Sequence, residues 1–219
     1  MLRTTMTALP RQPSVPLLGH LWQADVAQLL DEHHMIAWSD SPARRTQFAV
    51  GLSQFLGLQR DAEVCVFYGK HIDSLDAFCH QLERSIPGPA LERRFDGAAG
   101  IASLLRQRFD VRGKPATKYR YYVWHDADAL LIKDHRLFGR IVDTIAGVAA
   151  EAEYVSDDLL LIHRSVYIGS SVLDVYAEDA RGQFQSWFDD GAGEPFWKVV
   201  TGIEQPPFVR YRVDSLFEA

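Results

Sequence analysis

The chain has 219 residues, 47% of them apolar and 24% charged, a length and balance that support a packed core without disulfide staples and exclude wholesale disorder or collagen-like order. Its 23 basic and 29 acidic residues leave a net charge of −6, which argues against a general nucleic-acid binder and suits an acidic partner of something basic. Two cysteines, Cys65 and Cys79, make no disulfide framework and point to a reducing, cytoplasmic home, and no run of about 18 apolar residues is present to span a membrane.

Residues 1–16 lack the apolar core of a signal peptide, and Pro10, Pro13 and Pro16 predict an extended arm. A short helix is expected over 18–31 through Leu21, Val26, Leu29 and Leu30, then a brief strand over 35–38. Ser41-Pro42 reads as a helix start, a capping hydroxyl followed by proline in the first turn. Phe48, Leu52, Phe55 and Leu56 share one face of that helix, and Gly57 is a natural stop. The apolar, partly β-branched run 64–68, bounded by Gly69, reads as a strand or an extended lead-in to the next helix.

The next helix carries Leu75, Phe78, Cys79, Leu82 and Ile86 on one face, with Asp73 or Ser74 as its cap and Pro87-Gly88-Pro89 as its end. A further helix over 91–110 and a polar loop over 111–117 follow. Residues 119–124 are the clearest strand, 127–132 a helical turn, and Phe138, Ile141, Val142, Ile145, Val148 and Ala149 a strong amphipathic helix. The run 159–168 is a second clear strand, continuous in character as when both faces are covered. A strand over 172–177, a short helix over 183–188, and strands over 197–203 and 208–213 complete the chain.

This order predicts an α/β protein with a small, mainly parallel sheet flanked by helices. The expected organisation is an arm and short helix over 1–34, a core over 35–169, and a β-containing C-terminal appendage over 170–219 packed on that core. An oligomer contact through the aromatic tail residues Trp187, Phe188, Trp197 and Phe208 is a further alternative to their packing in the appendage.

Charge is uneven. Residues 121–160 hold eight acidic and three basic residues, −5 with neutral histidines; a solvated acidic face is the ordinary cause. The most distinctive segment is Phe67-Tyr68-Gly69-Lys70-His71-Ile72-Asp73-Ser74-Leu75-Asp76-Ala77-Phe78. An aromatic pair, a glycine turn and an acidic helix start make a recognition corner, because aromatics give contact area at little entropic cost and acids suit a helix N-terminus or a cationic partner. Capping and packing account for the same residue types.

On these residues the chain resembles the barstar family, intracellular inhibitors of secreted barnase-type ribonucleases. That family carries aromatic–aromatic–Gly–x–Asn–x–Asp–Ala–Leu entering its second helix, and Phe67, Tyr68, Gly69, Asp73 and Leu75 fit. His71 stands where asparagine is usual, and Ala77 where a second aspartate would contact the ribonuclease; Asp76 is adjacent, about 100° around the helix. The resemblance spans roughly 35–168, with an insertion around 87–118. It implies about three parallel core strands, no catalysis and no cofactor, with Phe67, Tyr68, Asp73 and Asp76 set against the basic active site of a ribonuclease- or toxin-like protein.

A second constellation, His125-Asp126-Ala127-Asp128, follows a strand directly. Two acids there can hold Mg²⁺ or Mn²⁺, and the position also resembles the metal-binding aspartates of nucleotide-sugar glycosyltransferases or the Walker B strand of P-loop ATPases. This is the alternative reading, a divalent-cation-dependent nucleotide-binding or transferase enzyme. No G-x-x-x-x-G-K-[ST] is present to cradle phosphates, and both acids also read as caps of the following turn. No C-x-x-C or H-E-x-x-H supports zinc, and Ser165, Ser170 and Ser171 lack a G-x-S-x-G setting.

Overall fold

The computed structural model of the chain describes residues 21–59, 61–85, 119–154, 162–178 and 208–218. Its strands are β1 (His34–Trp38), β2 (Ala62–Tyr68), β3 (Tyr119–His125), β4 (Ile162–Gly169) and β5 (Phe208–Arg212). Its helices are α1 (Leu21–Glu32), α2 (Pro42–Gly57), α3 (Leu75–Ser85), α4 (Ala127–Lys133), α5 (His135–Tyr154) and α6 (Ser171–Glu178). Short 3-10 turns, Gly69–His71 and Val213–Phe217, follow β2 and β5. The elements expected over 91–110, 111–117, 183–188 and 197–203 lie outside the described residues, as does Ile86.

The strands form one parallel sheet in the order β2-β3-β4-β1-β5. Among the described residues it therefore has five strands where about three were expected. The strand foreseen over 208–213 lies beside β1 in the same direction, Met35 opposite Val209 and Ala37 opposite Tyr211. The strand expected over 172–177 is a helix, α6. A parallel strand must return through a crossover, and Leu173 and Val172 pack on the helical side of the core. On this helix Val175 is exposed.

Alternation along each strand splits the core in two. Met35, Ala37, Tyr121, Val123, Val166 and Ile168 face α1 and α2. Ile36, Cys65, Phe67, Tyr122, Trp124 and Tyr167 face α3, α4, α5 and α6. Burial on both faces explains the nearly unbroken apolar reading of β3 and β4. Ser41 accepts a hydrogen bond from the Arg44 N–H at 3.5 Å, with Pro42 in the first turn. At α3 the cap is Ser74, whose Oγ accepts from the Ala77 N–H at 3.1 Å. No helix of the described residues is long and apolar enough to cross a membrane.

Several polar groups inside the sheet are paired. Arg120 on β3 meets Glu63, its register partner on β2, at 2.8 and 2.9 Å. Arg164 donates to the carbonyls of Leu30 and Asp31, closing the open end of α1. The Tyr122 hydroxyl lies 2.7 Å from His163 Nδ1.

His34 Nδ1 accepts from the Ser165 N–H at 3.0 Å. Burial, then the charge of Arg164, pushes the His34 imidazole down to about 4. The unfolded chain, with an ordinary histidine, then binds more protons than the folded one between about pH 4 and 6.5, so stability falls as pH is lowered through that window. The expected loss is about 2–3 kcal/mol. His34→Asn keeps an acceptor for Ser165 and cannot titrate, so its denaturation free energy should lose this component of the slope across the same window; an undiminished slope would locate the effect elsewhere.

Candidate functional site

In open parallel sheets, ligands and partners gather where neighbouring strands send their connections to opposite faces, beyond the carboxyl ends. Here that place lies between β1 and β4. β1 leaves into α2 on one face, and β4 leaves into α6 on the other. The carboxyl edge therefore collects Ser39, Asp40 and Ser41 after β1, Asp126 and Asp128 after β3, Ser170 and Ser171 after β4, and Asp214 after β5.

These side chains are tied to one another. Asp128 Oδ2 accepts from both the N–H and the hydroxyl of Ser170, at 2.9 and 2.5 Å. Asp40 accepts from the Ser171 N–H at 3.0 Å, which holds its carboxyl below the usual value. Asp214 Oδ1 accepts from Ser39 Oγ and from Arg44 Nη1, both at 2.8 Å, and the Arg44 bond holds its carboxyl low in the same way. Arg45 Nη1 donates to the Ser39 carbonyl at 2.7 Å, while its Nη2 lies 3.6 Å from Asp126 Oδ1. Lys70 Nζ lies 3.9 Å from Asp126 Oδ2.

The two acids of the cation reading are thus engaged apart from each other, Asp128 by Ser170 and Asp126 by two basic side chains. Among the described residues no three His, Cys, Asp or Glu side chains are grouped to hold a metal. The capping expectation for Asp126 also gives way. Its backbone is left-handed, with φ 48° and ψ 47°, and its carboxylate makes no cap bond to α4. The β1–α2 turn, Ser39 to Ser41, is short and carries an acid, so it offers no glycine-rich phosphate cradle.

The recognition corner sits at the far end of this edge, where β2 runs into the 3-10 turn and α3. Gly69 is pressed against the backbone of Asp126 and Ala127, which fixes the turn on the start of α4. Of the aromatic pair only Tyr68 reaches the surface, at 42% exposure. Phe67 corrects the sequence reading: it is fully buried, its ring against Phe78, Tyr122 and Trp124, because alternation along β2 sends it inward.

The Tyr68 ring lies 4.8 Å from that of His125 and 6.2 Å from that of His71. Burial and, secondarily, the nearby Lys70 lower the proton affinity of His125, against the pull of Asp126. Asp73 and Asp76 are both exposed at the start of α3; Asp73 Oδ1 accepts from Ser74 Oγ at 3.2 Å. Ala77, where the barstar pattern has its second acid, is partly buried.

The structure therefore leaves Tyr68, Asp73 and Asp76 exposed on the segment from the end of β2 to the start of α3 and removes Phe67 from that surface. Sequence reading missed Arg44, Arg45, Lys70 and Asp214 as members of the edge. The signal for the first two was available: adjacent arginines in the first turn of a helix oppose its dipole and need acids nearby.

No family model and no curated protein matches the chain. Among solved structures it is similar, at 12% identity, to a chain in the structure of Drosophila ORC bound to GC-rich DNA and Cdc6, with a TM-score of 0.46 over 88% of this chain and 28% of that one. A chain in the structure of Drosophila ORC bound to DNA gives a TM-score of 0.45 at 12% identity, covering 88% of this chain and 29% of that one. This chain thus spans less than a third of the length of either.

Proposed function

We propose that the chain is a non-catalytic binding protein that presents the β2–α3 corner to a basic protein partner. The observation that carries this reading is the corner itself. A half-exposed Tyr68 and the exposed acids Asp73 and Asp76 lie on the one segment that runs from the end of β2 into α3, across a turn anchored by backbone packing at Gly69. An aromatic anchor with acids beside it suits a basic cleft, charge guiding the encounter and the fixed turn limiting the entropy lost on binding. The more specific form, an inhibitor or immunity protein that occludes a ribonuclease-like active site, rests on the barstar-like run of residues 67–75. The competing enzyme reading needs Asp126 and Asp128 on one cation, and their carboxylates are engaged with Ser170, Arg45 and Lys70.

The test uses a small basic ribonuclease or toxin-like protein that forms a stoichiometric complex with the chain. Asp73→Ala leaves the Ser74 cap in place, so the melting temperature should hold while affinity falls about tenfold or more, as for a desolvated charge at an interface. Unchanged affinity sinks the surface assignment. A rise in melting temperature with Mg²⁺, Mn²⁺ or a nucleotide alone would instead favour the enzyme reading by mass action.

A further inference from the structure

We propose that the C-terminal turn Val213–Phe217 sets the conformation of the Tyr68 corner through a side-chain relay along the carboxyl edge of the sheet. As regulation of a binding surface, this rests on the reading of that corner given above; as coupling, it can be tested without a partner.

The relay is continuous. Asp214 takes the Ser39 hydroxyl and the Arg44 guanidinium, each at 2.8 Å. The Ser39 carbonyl takes Arg45 Nη1 at 2.7 Å. Arg45 Nη2 faces Asp126 Oδ1 at 3.6 Å, and Asp126 Oδ2 faces Lys70 Nζ at 3.9 Å. The Asp126 carbonyl is the surface on which Gly69 packs. Its members follow β5, β1, β3 and β2 in turn, so ends of strands far apart in the sheet are joined by side chains and the Ser39 carbonyl.

The path is firm at one end and loose at the other. Hydrogen bonds near 2.8 Å anchor Ser39, which is fully buried. The last two links exceed hydrogen-bond distance and are ion pairs that a small shift opens or closes. Arg45 Nε is buried with no hydrogen-bond acceptor among the described residues, so the guanidinium depends on the Ser39 carbonyl for its position. A loosened Ser39 frees Arg45, Asp126 loses one of its two cations, and the turn packed on Asp126 relaxes. Arg44 over the Phe217 ring, 5.1 Å from its centroid, adds a second hold of the turn on α2.

Hydrogen exchange of the full chain reads this directly. In Asp214→Asn, amides of 39–45 should exchange faster, and so should those of 68–73, by about threefold or more, within the range of coupling carried by such contact paths. Arg45→Met should reproduce the change at 68–73, and the double variant should add nothing to Arg45→Met there, since both act on one path. Exchange at 68–73 that stays at the wild-type rate while 39–45 speeds up overturns the relay, as does full additivity. Ser39→Ala spares the Arg44–Asp214 pair and serves if Asp214→Asn loosens β3 as well; uniform acceleration including 119–125 in both variants also counts against the proposal. If coupling holds while Asp73→Ala leaves partner affinity untouched, the binding reading falls and the relay stands; the reverse pattern removes the relay alone.

Discussion

Replacing Glu63 with alanine is expected to destabilise the fold by about 4 kcal/mol at neutral pH, as for a buried ion pair broken on one side. Arg120 is fully buried and the Glu63 side chain is only 9% exposed, so the pair lies inside the sheet, across the β2–β3 register. Removing the carboxylate takes away an acceptor at 2.8 and 2.9 Å from a buried guanidinium, and a buried charge that loses a partner is costly. The melting temperature should fall by on the order of 10 °C for a chain of this size. The double replacement Glu63→Leu with Arg120→Met removes both charges and should recover most of the loss, because the pair itself adds little over apolar packing. A single-variant loss under about 1 kcal/mol would mean that water reaches Arg120 and that the pair behaves as an exposed one.

That pair also shows where sequence reading stopped. The run around Tyr119 is aromatic and β-branched enough to declare a strand, and Arg120 within it raised no alarm. Only the parallel register brings it opposite Glu63, 57 residues earlier. The same holds for β5. Its residues announced a strand, but its place beside β1 depends on a crossover over residues that local periodicity cannot connect. Local signals were sound where one helix face or one capping hydroxyl decides, as at Ser41-Pro42 and along Phe48, Leu52 and Leu56. They misled at 172–177, where β-branched residues occupy a short crossover helix and tertiary packing overrides propensity.

The candidate site was half legible for a related reason. Tyr68, Asp73 and Asp76 lie close together in the chain, and a local motif suffices to group them. Asp214, Asp126 and the stretch from Ser39 to Arg45 are far apart in sequence and meet only because a parallel sheet delivers every strand end to one edge. Asp126 and Asp128 were read as a pair from their spacing, yet the left-handed backbone at Asp126 sends one carboxylate toward α2 and leaves the other on Ser170. Phe67 and Tyr68 were likewise read as a pair, and strand alternation divides them between core and surface.

Gly69→Ala tests the packing on which the corner depends, and it is expected to cost about 3 kcal/mol, the upper part of the range for overpacking. A methyl group there falls deep inside the carbonyl oxygen of Asp126, 3.0 Å from its carbonyl carbon and 3.2 Å from Ala127 Cα. All three are backbone atoms, at the point where Tyr68 and His125 close the β2–β3 ladder, so no rotamer change relieves the clash. Either the ladder end opens or α4 shifts. Gly57→Ala supplies the control: nothing lies within 4 Å of its added carbon, and at the end of α2 it should leave stability unchanged or raise it by about 0.5 kcal/mol. Denaturant midpoints of the two variants should therefore move in opposite directions, or only the Gly69 variant should move. Amides of 68–73 and 123–127 should exchange faster in Gly69→Ala, with those of β1 and β4 nearer to wild type, because the strain enters at the edge of the sheet. A Gly69→Ala chain as stable as wild type would show that the β2 turn does not rest on Asp126, and the corner would lose the rigidity on which its role as a binding surface is argued.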